Sequence, residues 1–182
     1  AVACGDNWPA WRGPRGDGTS LEKNIPTSWN GKTGENIAWK VAIPGAGHSS
    51  PIVWEDRIFL VTCLTENDPP SRELLCLDRK SGKTIWRKGV VDAPLETKHG
   101  LNSYASGTPA TDGKHVYVTF LKVGDKTIEA RNVSRPRPVT PGEIVVAAFD
   151  FDGNQKWIAK PGGFVSVHGF CSSPVLFEDL VI

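Results

Sequence analysis

Methionine is absent from the 182 residues, tyrosine occurs only twice, and no apolar run is long. Runs such as 58–61 and 144–149 fall far short of the roughly 18 apolar residues that a spanning helix needs, so no transmembrane segment is expected. An excess of charge is lacking as well. The 21 Lys plus Arg stand against 20 Asp plus Glu for a net +1, which removes the electrostatic footprint of a nucleic-acid or anionic-membrane binder. Cysteine is scarce: Cys4, Cys63, Cys76 and Cys171 form no CxxC pair, zinc pattern or adjacent pair. Long stretches rich in Ala, Leu, Glu and Lys are missing too, which argues against long helices. Disorder is excluded in turn, because 39% hydrophobic residues against 23% charged is the mixture of a globular chain.

What is present has a β-protein's character: 19 Gly and 14 Pro lie among seven Trp and many Val, Ile and Thr. The chain opens at Ala1 without methionine, as a processed or cut terminus would. Ala1-Val2-Ala3 is similar to the small-x-small end of a secretory signal, and Cys4 behind it suits cleavage or lipid attachment. An arbitrary boundary accounts for the same residues. Cys63 and Cys76 flank a loop in candidate neighbouring strands, where a disulfide is open to them in an oxidising compartment. Two separate buried thiols are the reading adopted.

One segment occurs three times: Ser50-Pro51-Ile52-Val53-Trp54-Glu55-Asp56-Arg57-Ile58, Thr108-Pro109-Ala110-Thr111-Asp112-Gly113-Lys114-His115-Val116 and Ser173-Pro174-Val175-Leu176-Phe177-Glu178-Asp179-Leu180-Val181. Each reads as a short strand, an acidic turn and a second apolar strand. After the first two copies comes a hairpin around a tight turn, Cys76-Leu77-Asp78-Arg79-Lys80-Ser81-Gly82-Lys83-Thr84-Ile85-Trp86 and Ala148-Phe149-Asp150-Phe151-Asp152-Gly153-Asn154-Gln155-Lys156-Trp157. Together these make a four-stranded antiparallel unit, the blade of a β-propeller. The copies lie further apart than the ~40–45 residues of a compact blade. Insertions between Leu64 and Glu73 and over 122–143 supply the difference; the second carries Arg135-Pro136-Arg137-Pro138, too rich in proline for a central strand.

The chain resembles the PQQ-like, or quinoprotein-type, β-propeller repeat family, whose blades carry a tryptophan docking motif A-x-D-x-x-T-G-x-x-x-W. Asp78, Gly82 and Trp86 match it, as do Asp150, Gly153 and Trp157 with one residue deleted. Asn7-Trp8-Pro9-Ala10-Trp11-Arg12-Gly13-Pro14 and Gly47-His48-Ser49-Ser50-Pro51 resemble a planctomycete-type bacterial branch of secreted members. The fold expected is all-β, a propeller fragment: a lead-in segment over 1–34, a closing strand over 35–43, a first blade over 49–88, a second over 106–159 and the start of a third over 172–182. The strand over 35–43 ends a tryptophan motif with no blade before it, so it is expected to complete the last blade of a longer ring.

The physical sense of the motif is that an indole fills the widening wedge between blades while its N–H finds a carbonyl. Trp86 and Trp157 are expected to do this, with Asp78 and Asp150 bonding their own turns. A histidine precedes each first strand: His48, His99 and His168. With Asn102, Ser103 and Tyr104 they are candidates to bind an anion, a sugar or a divalent metal on one loop face. A structural reading competes, since repeated blades repeat their loop residues and a histidine beside a strand often serves as a hydrogen-bonding cap. His115 reads as surface.

The resemblance implies two functions. The first is a non-catalytic scaffold of an exported bacterial protein, periplasmic or extracellular and lipid-anchored through Cys4, with a protein or carbohydrate partner and no cofactor. The second is a PQQ-dependent oxidoreductase. Its quinone would need an adjacent-cysteine disulfide, a stacking Trp and calcium held by Glu, Asn and Asp, and no residue here matches that set, so no catalytic or metal residue is assigned. Arg15-Gly16-Asp17 reads as a turn, Asn132-Val133-Ser134 is a glycosylation acceptor only in a secretory eukaryote, Asp150-Phe151-Asp152-Gly153 lacks the rest of a calcium loop, and 135–137 is too short for a nucleic-acid patch.

Overall fold

The computed structural model describes residues 5–23, 25–130, 133 and 135–182, so Cys4, Asn132 and Ser134 lie outside the described residues. In chain order the strands are β1 Ile52–Trp54, β2 Arg57–Leu64, β3 Ser71–Asp78, β4 Thr84–Asp92, β5 Ala110–Thr111, β6 His115–Val123, β7 Ile128–Glu129, β8 Pro138–Val139, β9 Gly142–Asp150, β10 Gln155–Phe164, β11 Leu176–Phe177 and β12 Leu180–Val181. Two four-stranded antiparallel sheets result, β1-β2-β3-β4 and β5-β6-β9-β10, and β11 with β12 forms a two-stranded start of the third repeat. These are the two blades read from the repeats. The insertion after β6 folds into the β7–β8 ribbon. Strands β4 and β10 run beyond the expected blade ends at 88 and 159, to Asp92 and Phe164.

Each first hairpin turns at a left-handed residue in the same repeat position, Glu55, Gly113 and Glu178, with φ of 51°, 86° and 52°. A non-glycine residue is strained there, and its recurrence shows that the turn geometry, not the side chain, is what the repeat preserves.

The register decides where the core lies. In the first blade Phe59 pairs with Cys76, Val61 with Leu74 and Cys63 with Arg72. In the second, Val116 pairs with Phe149, Val118 with Ala147 and Phe120 with Val145. Strand alternation puts each set on one face, and the two sets meet in a single buried cluster between the sheets. Cys63 and Cys76 sit four rungs apart on adjacent strands, ~13 Å along the ladder, beyond disulfide reach. Both are buried free thiols, as expected, and burial pushes the Cys76 thiol up to about 12.

The lead-in segment packs as a strap across the inner strands. Trp8 exchanges backbone hydrogen bonds with Val53 on β1 at 2.7 and 3.0 Å, and the Thr111 amide on β5 donates to Pro9 O at 2.8 Å. Arg15-Gly16-Asp17 is part of a turn, the Asp17 carboxylate accepting from the Thr19 amide at 2.8 Å. The expected closing strand over 35–43 forms no ladder. Among the described residues no strand runs beside it, and its hairpin is limited to the bridge between Asn30 and Glu35.

Candidate functional site

The docking motif works as a relay from blade to blade. Trp86 Nε1 donates to Phe151 O at 2.9 Å, and the indole covers Gly153, where an added Cβ would lie 2.9 Å from the ring. Glycine is required twice over, since Gly153 also has φ 81°. Asp78 accepts from the Ser81 amide at 2.7 Å, and Asp150 accepts from the Asn154 amide at 2.8 Å. Trp157 departs from the expectation. It is 39% exposed beside Tyr117 of its own blade, with ring centroids 5.9 Å apart.

Hydrogen bonds hold both turn carboxyls below the usual range, from Ser81 for Asp78 and from Asn154 for Asp150. A group whose folded pKa is depressed contributes stability above its unfolded pKa and loses it as pH falls through the folded value. The Asp78→Asn, Asp150→Asn double variant is therefore expected to lose less stability than the parent between about pH 5 and about pH 2. Urea midpoints across that range check it.

At the opposite end of the sheets the loop-face residues are brought together. The His48 amide donates to Ser103 Oγ at 3.0 Å and to Ala105 O at 3.0 Å. Ser103 Oγ lies 2.8 Å from Ser106 Oγ, which donates to Asn102 Oδ1 at 2.6 Å. Asn102 Nδ2 donates to His168 O at 2.7 Å. The chain of bonds thus runs from the approach to β1 through the interblade linker to the approach to β11. His99 and His168 face each other with ring centroids 5.9 Å apart, and the His99 ring accepts the Leu101 amide at 3.1 Å. His48 lines the cleft between the strap and the inner strands. Ring contact is thus between His99 and His168, and among the described residues no three His, Cys, Asp or Glu side chains are grouped to hold a metal. His115 is half-buried, 3.7 Å from Asp112.

Tyr104 sits at the edge of the core. Its ring packs against the core cluster, with the Lys98 ammonium 5.0 Å from its centroid and the Arg72 guanidinium 5.9 Å away. Arg72 and Glu96 are the residues that sequence reasoning missed. They form a buried ion pair at 2.5 Å with side chains 1% and 3% exposed. Arg72 also donates to Ala93 O at 2.6 Å and Pro94 O at 3.0 Å. Burial pushes the Glu96 carboxyl up, against the pull of Arg72. In the strand pattern an arginine beside Ser71 looked like the end of an insertion, and no periodicity marks its partner.

The tryptophan motif read at the strand over 35–43 is completed by a turn at Asn30, which the sequence reading did not name. Asn30 Oδ1 accepts from the Lys32 amide at 2.9 Å, and Gly34, at φ 81°, donates its amide to Asn30 O at 2.9 Å. Gly82 does the same to Asp78 O at 2.8 Å. Trp39 then docks on the first blade as Trp86 docks on the second, its Nε1 donating to Arg79 O at 2.9 Å over Gly82. The signal was Asn30-Gly31-Lys32-Thr33-Gly34 ahead of Trp39, with Asn in place of Asp and one residue added before the Trp.

No curated protein matches the chain. A model of the PQQ-like repeat, described as outer membrane protein assembly factor BamB, matches residues 23–120, which span the third docking motif, the whole first blade and the opening of the second. With more than half of its length matched and two antiparallel blades linked by docked tryptophans, the chain belongs to the PQQ-like repeat family of BamB type.

Proposed function

We propose that the protein is a non-catalytic propeller scaffold, exported to the bacterial periplasm, whose loop face docks a protein partner. The observation that carries this reading is the state of the loop-face polar groups. Asn102, Ser103 and Ser106 are engaged with one another and with the backbones on either side, so they hold loops in place and leave no poised base or nucleophile. Apolar side chains stand exposed on the loops of this face, Leu101 at 84%, Ile128 at 49% and Val165 at 47%, and exposed apolar groups are what a protein partner covers. The family description, an assembly factor for outer membrane proteins, agrees with a protein partner.

The residues do not fit a quinone with calcium. Cys63 and Cys76 lie on separate rungs, and the buried carboxylates Glu73 and Glu96 are held by Arg87 and Arg72. A photo-crosslinking residue in the full-length protein tests the proposal. Placed at Leu101 or Val165 it is expected to capture a discrete protein partner, and placed at Lys114 or Asp152, at the opposite end of the sheets, it is not. Equal capture from both ends, or calcium-dependent dye reduction with added PQQ, overturns the reading.

A further inference from the structure

Between the strap and the inner strands lies an open cleft of about 890 Å³. It is distinct from the exposed apolar loop residues, and its lining has a consistent chemistry. Arg12, Trp11 and His48 line it together with hydroxyl side chains from all three repeats, and no Asp or Glu is among the lining residues. In a chain with 20 carboxylates that composition is selective.

The hydroxyls form a girdle at one repeat position. The Ser50 amide donates to Thr108 Oγ1 at 3.1 Å, and the Thr108 amide donates to Ser173 Oγ at 2.8 Å. A hydroxyl that accepts a backbone N–H keeps its own proton to donate. Among the described residues the hydroxyl protons of Ser50, Thr108 and Ser173 have no acceptor, so the girdle presents donors to the cleft. Thr111 and Ser106 differ, because their hydroxyls already donate to His115 O at 2.7 Å and Asn102 Oδ1 at 2.6 Å.

Arg12 completes the set. Its guanidinium stacks on the Trp11 ring at 4.4 Å, and among the described residues it makes no ion pair. Its backbone is held in the left-handed region at φ 67° by the Gly13 amide bonding Ala10 O and the Gly18 amide bonding Arg12 O, both at 2.9 Å. Trp11 is itself 54% exposed, an indole surface suited to stacking on a pyranose ring.

We propose that this cleft binds an acidic saccharide, a pyranose carrying a carboxylate or a sulfate ester. Arg12 takes the oxyanion, the hydroxyl girdle donates to ring oxygens and hydroxyls, and Trp11 packs on the apolar sugar face. The volume is that of a small-molecule site and exceeds what a bare anion fills. The inference does not rest on the protein-docking face and stands if that reading fails.

The test is intrinsic tryptophan fluorescence with calorimetry on the full-length protein. The probes are glucuronate, glucose 6-sulfate, glucose and inorganic sulfate. Both acidic sugars are expected to bind at least about tenfold more tightly than glucose, as a charge-assisted contact requires, and the tighter of the two identifies the natural anion. Arg12→Gln is expected to lose that preference with the thermal midpoint unchanged, and Ser50→Ala to weaken both sugars several-fold. Glucose binding as tightly as glucuronate, or an Arg12→Gln protein that keeps the preference, overturns the proposal. Inorganic sulfate binding as tightly as glucose 6-sulfate overturns the sugar subsite.

Discussion

Replacing Trp86 by alanine is expected to destabilise the protein by about 3 kcal/mol, in line with large aromatic truncations at a packed interface. Three losses combine at this residue. The indole sits 5.9 Å from the Phe59 ring within the cluster that joins the two sheets. With the Lys88 side chain it fills the space above Gly153, and its N–H satisfies Phe151 O at 2.9 Å. An alanine leaves a cavity and an unpaired carbonyl together. Trp157→Ala is expected to cost well under half as much, because that ring is 39% exposed. The contrast makes the measurement informative: chemical denaturation of the two variants separates docking from mere aromatic burial. Equal losses would show that the ring's contact with its own blade, and not its seat on the next, is what stabilises it.

The blades were legible because their information is local and repeated. Strand alternation, the acidic turn and the Gly-to-Trp spacing each occur within about a dozen residues, and the copies confirm one another. The same locality explains the misses. Trp157 matches the motif with one residue deleted, yet docking requires a turn on the following blade, which the motif does not contain. Asn30 escaped because one amide replaced one carboxylate and one residue was added before Trp39, although the bonds it makes are those of Asp78. At the loop face the histidines were visible as a repeated position. Their pairing was not, since it depends on how the interblade linker crosses: His99 and His168 meet ring to ring, while His48 lines the cleft under the strap. Arg72 and Glu96 were beyond reach for a further reason. Their attraction acts across a linker of no fixed period, so nothing in the sequence pairs them.

That pair sets the second large effect. Arg72→Met is expected to cost about 3–5 kcal/mol, the usual loss when one partner of a buried ion pair is removed and the other charge stays behind. The double variant Arg72→Met, Glu96→Leu is expected to recover most of that loss, because no uncompensated charge remains and the site lies against an apolar cluster. The pH dependence separates this cause from a packing defect. Burial already pushes the Glu96 carboxyl up while Arg72 opposes the rise, so deleting Arg72 moves it further up. A carboxyl whose folded pKa lies above its unfolded pKa gives stability that is full below the unfolded value and lost as pH rises through the folded one. The deficit of Arg72→Met is therefore expected to shrink as pH falls from neutrality into the ordinary carboxylate range, and the deficit of a cavity mutant is not. Denaturation midpoints of the single and double variants at both pH values check this; a pH-independent deficit would mean that Arg72 acts through its contacts with Ala93 O and Pro94 O alone. In either case Arg72 fastens the start of the linker that carries His99 and Asn102, so the ion pair and the loop face are one mechanical unit. Loosening the pair should raise hydrogen exchange over residues 97–106 before it melts either sheet.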